Sequence, residues 1–224
     1  MIHTIFFDIG GTLVTGTSGL HMLAKRLDAS RESDIFESLR QKFMSIYLDE
    51  NPPRFYNIKE ILAITAANIA AKYGLPDVAD EVVDIYRAAY LDNGYLYDDT
   101  IQTLERLKAG GIKMVLISDA DDDVLEPQLK SLGIWDYFEG RIISSVTRAY
   151  KPGNKVVSKA LEFCEEPRDG ILFVGDTIVD IKTAQKMKVK SVLINRNNHF
   201  KLEADYKITG LEQLFDIIAD PDRQ

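Results

Sequence analysis

The sequence predicts an α/β fold: a doubly wound parallel sheet interrupted, after its first strand, by an inserted block of helices. Three patterns point there. A short apolar run rich in β-branched and aromatic residues opens the chain and stops at an aspartate. From about residue 95 onward, similar short runs alternate with segments of helical periodicity, as expected when crossover helices cover both faces of a parallel sheet. Between these regions, residues 16–95 carry helical spacing without strand signals. The 224 residues suffice for one α/β domain with an insertion.

In order along the chain, residues 2–7 read as a buried strand. Asp8-Ile9-Gly10-Gly11-Thr12 follows, where two glycines let the backbone turn or let a partner approach closely. Helices are expected over 19–27, 33–48, 58–73 and 78–91. In the second of these, Ile35, Leu39, Phe43, Ile46 and Tyr47 recur at helical spacing. Ser30 and Ser33 are candidate N-caps, Asn51-Pro52-Pro53 breaks the second helix, and Gly74-Leu75-Pro76 ends the third. Helix 100–109 ends at Gly110-Gly111. Strand 113–117 leads to helix 124–132, which ends at Gly133. Then come strand 141–144, helix 154–164, strand 171–174, helix 178–187, strand 191–194, a short edge strand 206–208 and a closing helix 211–219. The domain reading is therefore a core of residues 1–15 and 96–224 with a helical domain of residues 16–95. Its linkers, near 15–17 and 93–97, carry Gly16 and Gly94.

Composition narrows the function. Lys and Arg number 27 against 35 Asp and Glu, a net charge of −8, which disfavours a general nucleic-acid binder. The single cysteine, Cys164, allows no disulfide within the chain and no zinc site built on paired cysteines. No apolar run approaches the ~20 residues that span a bilayer. Met1 leads directly into a strand, without the basic start and small-residue cleavage site of a signal peptide. The expectation is a cytoplasmic protein acting on a small-molecule substrate, without a membrane or nucleic-acid partner.

In open α/β sheets, ligands bind at the carboxyl ends of the strands. Those ends carry Asp8, then Ser118-Asp119, then Lys151-Pro152 in the loop after strand 141–144, then Gly175-Asp176-Thr177 with Asp180 beyond. Singly, each has an ordinary reading: Asp176 as a helix N-cap, Ser118 as a turn residue, Lys151 as a solvated lysine. Together, on one edge of one sheet, they read as a site.

The motifs resemble those of the haloacid dehalogenase superfamily over essentially the whole chain. Its first motif, a strand and Asp-x-Asp-Gly-Thr, is matched by Phe6-Phe7-Asp8-Ile9-Gly10-Gly11-Thr12-Leu13. The second is matched by Val115-Leu116-Ile117-Ser118, the third by Lys151-Pro152, and the fourth by Gly175-Asp176-Thr177-Ile178-Val179-Asp180. The resemblance implies a Rossmann-like core with an all-helical cap domain. It implies Asp8 as the nucleophile of a phosphoryl transfer through an aspartyl-phosphate. Mg²⁺ would be held by Asp8, Asp176 and the Gly10 carbonyl. Lys151 would neutralise charge and Ser118 would donate to a phosphoryl oxygen, with Thr12, Thr177 and Asp180 in support. Asp180 would orient either a metal-bound water or Lys151.

Gly10 departs from the pattern. Phosphatases of the family carry there a second aspartate that protonates the leaving group and then activates water. A missing acid–base group typically removes ~10²–10⁴-fold in rate. The expected activity is thus Mg²⁺-dependent hydrolysis of a small phosphorylated metabolite, weakened by Gly10. Three alternatives stand beside it: a C–halogen hydrolase, a C–P hydrolase using a lysine such as Lys25 or Lys42, or a catalytically silent member kept for binding or regulation. His21 is the histidine nearest to serving as a substitute acid, although a surface role is the simpler reading. Asp119, Asp121, Asp122 and Asp123 crowd a helix start, where negative charge complements the dipole.

Overall fold

The computed structural model of the chain describes all residues except 17, 50, 51, 166, 197–201 and 221–224. In chain order the elements are β1 (Thr4–Phe7), β2 (Val14–Gly16), α1 (Gly19–Asp28), α2 (Glu32–Tyr47), α3 (Ile58–Tyr73), α4 (Val82–Leu91), β3 (Gly94–Leu96), α5 (Thr100–Ala109), β4 (Lys113–Ser118), α6 (Asp122–Ser131), β5 (Gly140–Ile143), α7 (Ser144–Thr147), α8 (Asn154–Leu161), β6 (Ile171–Gly175), α9 (Ile178–Met187), β7 (Lys190–Ile194), β8 (Tyr206–Ile208) and α10 (Leu214–Ala219). They form two compact units. One comprises Met1–Thr15, Tyr95–Asp119 and Leu129–Gln224; the other comprises Gly16–Gly94 and Ala120–Gln128.

The first unit is built on a six-stranded sheet of order β5-β4-β1-β6-β7-β8. Every pairing in it is parallel. That arrangement suits the composition of its strands: β1 reads Thr-Ile-Phe-Phe and is buried throughout, as expected where helices cover both faces. β1 lies between β4 and β6, with Phe7 opposite Leu116 on one side and Val174 on the other. One face packs Phe6, Val115, Ile117, Ile142 and Phe173 against Val156 and Ala160 of α8 and Ala184 and Met187 of α9. Burial of each large side chain contributes about 1.5–3 kcal/mol. The carboxyl ends of β4, β1 and β6 therefore stand side by side.

The second unit is held by helix packing. Leu23, Leu27, Ile35, Leu39, Leu62, Ile69, Val82 and Tyr86 form one buried cluster, joined by Val124 of α6. An Asn57–Glu60 capping box starts α3, and Gly74, in the left-handed conformation at φ 64°, ends it. Segment 120–128 joins this unit through polar contacts as well. The buried Asp121 carboxylate accepts from the N–H groups of Ile58 (3.0 Å) and Lys59 (3.1 Å), and Gln128 Nε2 donates to the Tyr90 carbonyl (2.7 Å).

Several local expectations change. Two short strands, β2 and β3, occur at the margins of residues 16–95, where none is signalled; they pair with each other. Gly16 and Gly94 are required there by close packing. A Cβ on Gly16 would strike the Asn93 carbonyl, and one on Gly94 would strike Gln128 Nε2 and the Tyr90 carbonyl. Ser30 and Ser33 cap no helix: α2 starts at Glu32 without a side-chain cap, and Ser30 instead donates from N and Oγ to Asp28. Strand 141–144 ends one residue early because Ser144 begins α7. Asn51, expected to help break the second helix, lies outside the described residues. Cys164 is half-buried at the edge of the sheet core, with Sγ against the Ala160 carbonyl. Among the described residues no helix is long and apolar enough to cross a membrane.

Candidate active site

The strand order brings the motif residues together. Asp8 directly follows β1 and continues its ladder, its N–H donating to the Val174 carbonyl at 2.9 Å. Ser118 is the last residue of β4, and Asp176 follows β6. Lys151 comes from the loop between α7 and α8, and its buried ammonium bridges two carboxylates: Asp8 Oδ1 and Asp180 Oδ1, each at 2.6 Å.

Asp180 is fully engaged. Its Oδ1 takes Lys151, while Oδ2 accepts from Thr177 Oγ1 (2.6 Å) and Thr177 N (3.0 Å), closing the capping box of α9. Of the two partners the resemblance left open for Asp180, Lys151 is in hydrogen-bond contact with it. Thr12 Oγ1 donates weakly to Asp8 Oδ2 at 3.4 Å. Ser118 is buried. One oxygen each of Asp8, Asp176 and Asp180 lies within 4.8 Å of the others, a spacing compatible with a cation. Asp176 Oδ1 is buried and has no hydrogen-bond partner among the described residues.

Electrostatics follow from this crowding. Burial raises the Asp8 carboxyl well above its usual range; Lys151 opposes the shift, and Asp180 and Asp176 reinforce it. Burial also lifts Asp176 to about 7, with Asp180 adding to the effect. For Lys151, burial works to lower the ammonium pKa, but Asp180 and Asp8 outweigh it, so the group stands well above its ordinary value and stays charged.

The two adjacent glycines differ. Gly11 has φ 80°, and a Cβ there would collide with the Asp176 carboxylate, so only glycine allows the loop this close to the metal-ligand candidate. Gly10 lacks a left-handed φ and is exposed, and a Cβ added to it would meet no heavy atom within 4 Å. A side chain would fit at position 10.

Two features escape sequence reasoning. Asp119, expected to serve a helix dipole, instead accepts from the backbone N–H of Lys151, at 3.0 Å to Oδ1 and 3.3 Å to Oδ2. Arg196, just past β7, donates to both oxygens of Asp99 (3.0 and 2.9 Å) and to the Thr12 carbonyl (2.8 Å), and lies over the Tyr97 ring. It thereby braces the loop that carries the nucleophile candidate. Arg196 sits in no motif or periodic pattern; Asp119 stands at a strand end already read as part of the site, but nothing in the sequence pairs it with the Lys151 backbone. In the helical unit, exposed His21 bonds to Ser18 Oγ through Nδ1 (2.9 Å) and stacks on Phe36. Lys25 is exposed and Lys42 partly so. His199 lies outside the described residues.

Comparison with known proteins supports the same family. A family model described as haloacid dehalogenase-like hydrolase matches residues 2–188. The chain is 26% identical over 196 residues to a phosphoglycolate phosphatase of Aquifex aeolicus, covering 86% of this chain and 84% of that protein. It is 24% identical to a pyrophosphatase of Bacillus pumilus over 97% of each. The L-2-haloacid dehalogenase of Xanthobacter autotrophicus has the same fold, with a TM-score of 0.78 at 20% identity over 98% of this chain and 99% of that one. With most of its length matched by the family model, the chain belongs to the haloacid dehalogenase-like hydrolases.

Proposed function

We propose that the chain is a Mg²⁺-dependent phosphohydrolase. It transfers the phosphoryl group of a small phosphorylated metabolite to Asp8 and then to water, in the cytoplasm, with residues 16–95 as an inserted cap domain. The observation that carries this reading is the Lys151 bridge between Asp8 and Asp180 beside the unpartnered Asp176 oxygen. An anionic nucleophile meets an anionic phosphoryl group only where cations offset their repulsion. The donors are all hard oxygens, and a buried carboxylate oxygen without a partner fits Mg²⁺. Asp8, Asp176 and the Gly10 carbonyl would hold the ion, which when bound neutralises charge on the phosphoryl oxygens.

The residues of the chain divide the remaining work. A carboxylate oxygen of Asp8 attacks phosphorus; the P–O bond to the leaving group breaks and its electron pair departs with that group. The Lys151 ammonium offsets charge on Asp8 and on the group in transit. The Ser118 hydroxyl donates to a phosphoryl oxygen, and Thr12 orients the other oxygen of Asp8. Asp180, itself held by Thr177, keeps Lys151 in place. Water then attacks phosphorus; the P–O bond to Asp8 breaks with its electron pair returning to the carboxylate, and the proton that water loses leaves with the phosphate product or to solvent.

Position 10 offers neither a proton to the leaving group in the first step nor an acceptor for the proton that water loses in the second. The substrates best served are those whose leaving group is stable as an anion: acyl phosphates, phosphoanhydrides and aryl phosphates. The pyrophosphatase name of one relative accords with that class. Gly10 also favours a second reading, C–halogen hydrolysis, because halide leaves without a proton. A screen of the purified protein against phosphate esters, acyl phosphates, phosphonates and haloacids, with and without Mg²⁺, separates the two. Phosphate release that requires Mg²⁺ and vanishes in Asp8→Asn supports the first; metal-independent halide release supports the second.

A further inference from the structure

We infer that Asp119 is a positioning residue, acting on the reaction through Lys151. The inference rests on the proposed role of Lys151 and adds a part to it. Lys151 performs that role only while its ammonium stays 2.6 Å from both Asp8 and Asp180. Its side chain is long and flexible, so its anchor must lie in the backbone, and that backbone belongs to a loop. Two side chains from outside the loop bond the backbone at Lys151-Pro152, beside Thr147, whose Oγ1 donates to the Ala149 carbonyl at 3.2 Å. Asp119 receives the Lys151 N–H on its carboxylate, at 3.0 and 3.3 Å. From the other side, Lys186 of α9 donates to the Pro152 carbonyl at 2.9 Å.

The Asp119 bond is the stronger of the two constraints. Lys186 is exposed and divides its ammonium between the Pro152 carbonyl and Asn154 Oδ1 (3.4 Å), whereas Asp119 is half-buried and follows Ser118 at the end of a central strand. A charged acceptor strengthens a hydrogen bond. Ser118 and Asp119 thus serve the same strand end in different ways: one hydroxyl is the proposed donor to the phosphoryl group, and one carboxylate fixes the loop that brings the cation. The placement depends on the acceptor oxygens rather than on charge, so Asp119→Asn should preserve it and Asp119→Ala should not.

The test compares Asp119→Ala, Asp119→Asn and Lys186→Met with the wild-type chain, using acetyl phosphate and Mg²⁺. Steady-state kinetics are paired with acetylation of each lysine by acetic anhydride, read by peptide mass spectrometry against exposed Lys25 and Lys155. Asp119→Ala should lower kcat by about tenfold to ~10²-fold with little change in KM, the scale of a misplaced catalytic group. It should also raise the labelling of Lys151 several-fold, with melting temperatures confirming that the variant is folded. Asp119→Asn should stay near wild type in both readouts, and Lys186→Met should show a smaller version of the Ala effect. Equal losses in Ala and Asn would overturn the inference in favour of a charge effect. Lys151 protected as in wild type in both Asp119→Ala and Lys186→Met would overturn it outright. Should Asp119→Ala fail to fold, Asp119→Leu, of similar size and without acceptor oxygens, takes its place with the same two readouts, and wild-type kcat and Lys151 labelling in it would overturn the inference. A wild-type chain inactive on every phosphate tested would defeat the proposed function, while the labelling would judge Asp119 separately.

Discussion

Both units bury carboxylates, but they treat them differently. In the helical unit, Asp121 is almost wholly enclosed and gives one oxygen to Ile58 N–H and the other to Lys59 N–H. Burial raises its pKa, and those two backbone bonds pull it back. In the α/β unit, Asp8, Asp176 and Asp180 face one another around one ammonium, and an oxygen of Asp176 has no partner among the described residues. Buried polar groups are normally satisfied, and an unsatisfied one among mutually repelling charges is what the proposed cation would complete. The first arrangement stabilises a helix; the second stores repulsion that a cation can relieve. Each prediction below would sharpen that contrast or break it.

The largest effect is expected at the Lys151 bridge. Lys151→Met leaves two buried carboxylates without their cation, and breaking a buried pair by removing one partner costs ~3–5 kcal/mol. Asp8→Asn does the reverse, removing one member of a repelling cluster whose burial already disfavours its charged form. Both substitutions should abolish turnover. Thermal unfolding of the metal-free proteins should show a lower Tm for Lys151→Met and an unchanged or higher Tm for Asp8→Asn. Equal destabilisation would mean that repulsion among the carboxylates is not felt.

Next comes Gly10. Hydrolysis of an aspartyl-phosphate on Asp8 needs a proton acceptor for water, and position 10 has none. Acetyl phosphate or an aryl phosphate should give a product burst, a slow steady state and accumulated phosphoenzyme. Gly10→Asp should raise steady-state turnover of ordinary monoesters by tens-fold to ~10³-fold, within the range for an acid–base group. The backbone presents no obstacle, because Gly10 is not left-handed and its Cβ direction is open. Rapid-quench kinetics on wild type and Gly10→Asp, with Asp8→Asn as the inactive control, provide the check. Wild-type turnover of alkyl phosphates at a high rate without a burst would show that another group carries the proton.

The two regions were unequally legible. Strand ends announce themselves: apolar runs such as Ile171–Val174 stop at a polar residue, and Asp8, Ser118 and Asp176 fall on neighbouring strands once the parallel order is known. Thr177 and Asp180 were legible only as supporting residues; the structure adds that they close the capping box of α9 and that the Asp180 carboxylate holds Lys151. The bonds that anchor these pieces were not legible. Asp121 meets Ile58 across 63 positions, Asp119 meets Lys151 across 32, and Arg196 meets Asp99 across 97. Side-chain bonds at such separations leave no periodicity. Nor do the three-residue strands β2 and β3, which are too short to alternate. The same long-range contacts place Ala120–Gln128 with the helices rather than the sheet.

Metal binding should be intermediate in size and dependent on pH. An ordinary aspartate releases its proton near 3.8, and folded Asp176 does so near 7. Between those values the folded chain holds a proton that the unfolded chain has lost, so metal-free stability falls as pH rises through that window. Mg²⁺ requires the ionised form, so it competes with protons and gains affinity over the same interval. The Mg²⁺ stabilisation, read as a rise in Tm, should therefore be larger at pH 8 than at pH 5.5, its free energy approaching ~2.7 kcal/mol when Mg²⁺ is at a hundred times its Kd. Differential scanning fluorimetry at the two pH values measures it, and Asp176→Asn should remove it. An undiminished rise in Asp176→Asn would take the cation away from this site.

The smallest effect is expected in the helical unit, at Asp121. Losing the carboxylate strips the N-terminus of α3 of an acceptor for two N–H groups, while the Asn57 side chain continues to serve Glu60 N–H. A lost cap of this kind costs ~0.5–2 kcal/mol. Asp121→Ala should therefore lower Tm modestly, and Asp121→Asn less, because the amide keeps one acceptor. Neighbouring Asp123 supplies the control: its ion pair with Lys59 is surface-exposed, and Asp123→Ala should cost no more than ~1 kcal/mol. Across the three variants, the Mg²⁺ stabilisation and kcat on acetyl phosphate should stay at wild-type values, since the charge of Asp121 is directed at backbone. If Asp121→Ala instead removed turnover while leaving Tm intact, the carboxylate would belong to the reaction, and the division between an architectural and a functional buried charge would fail at this residue.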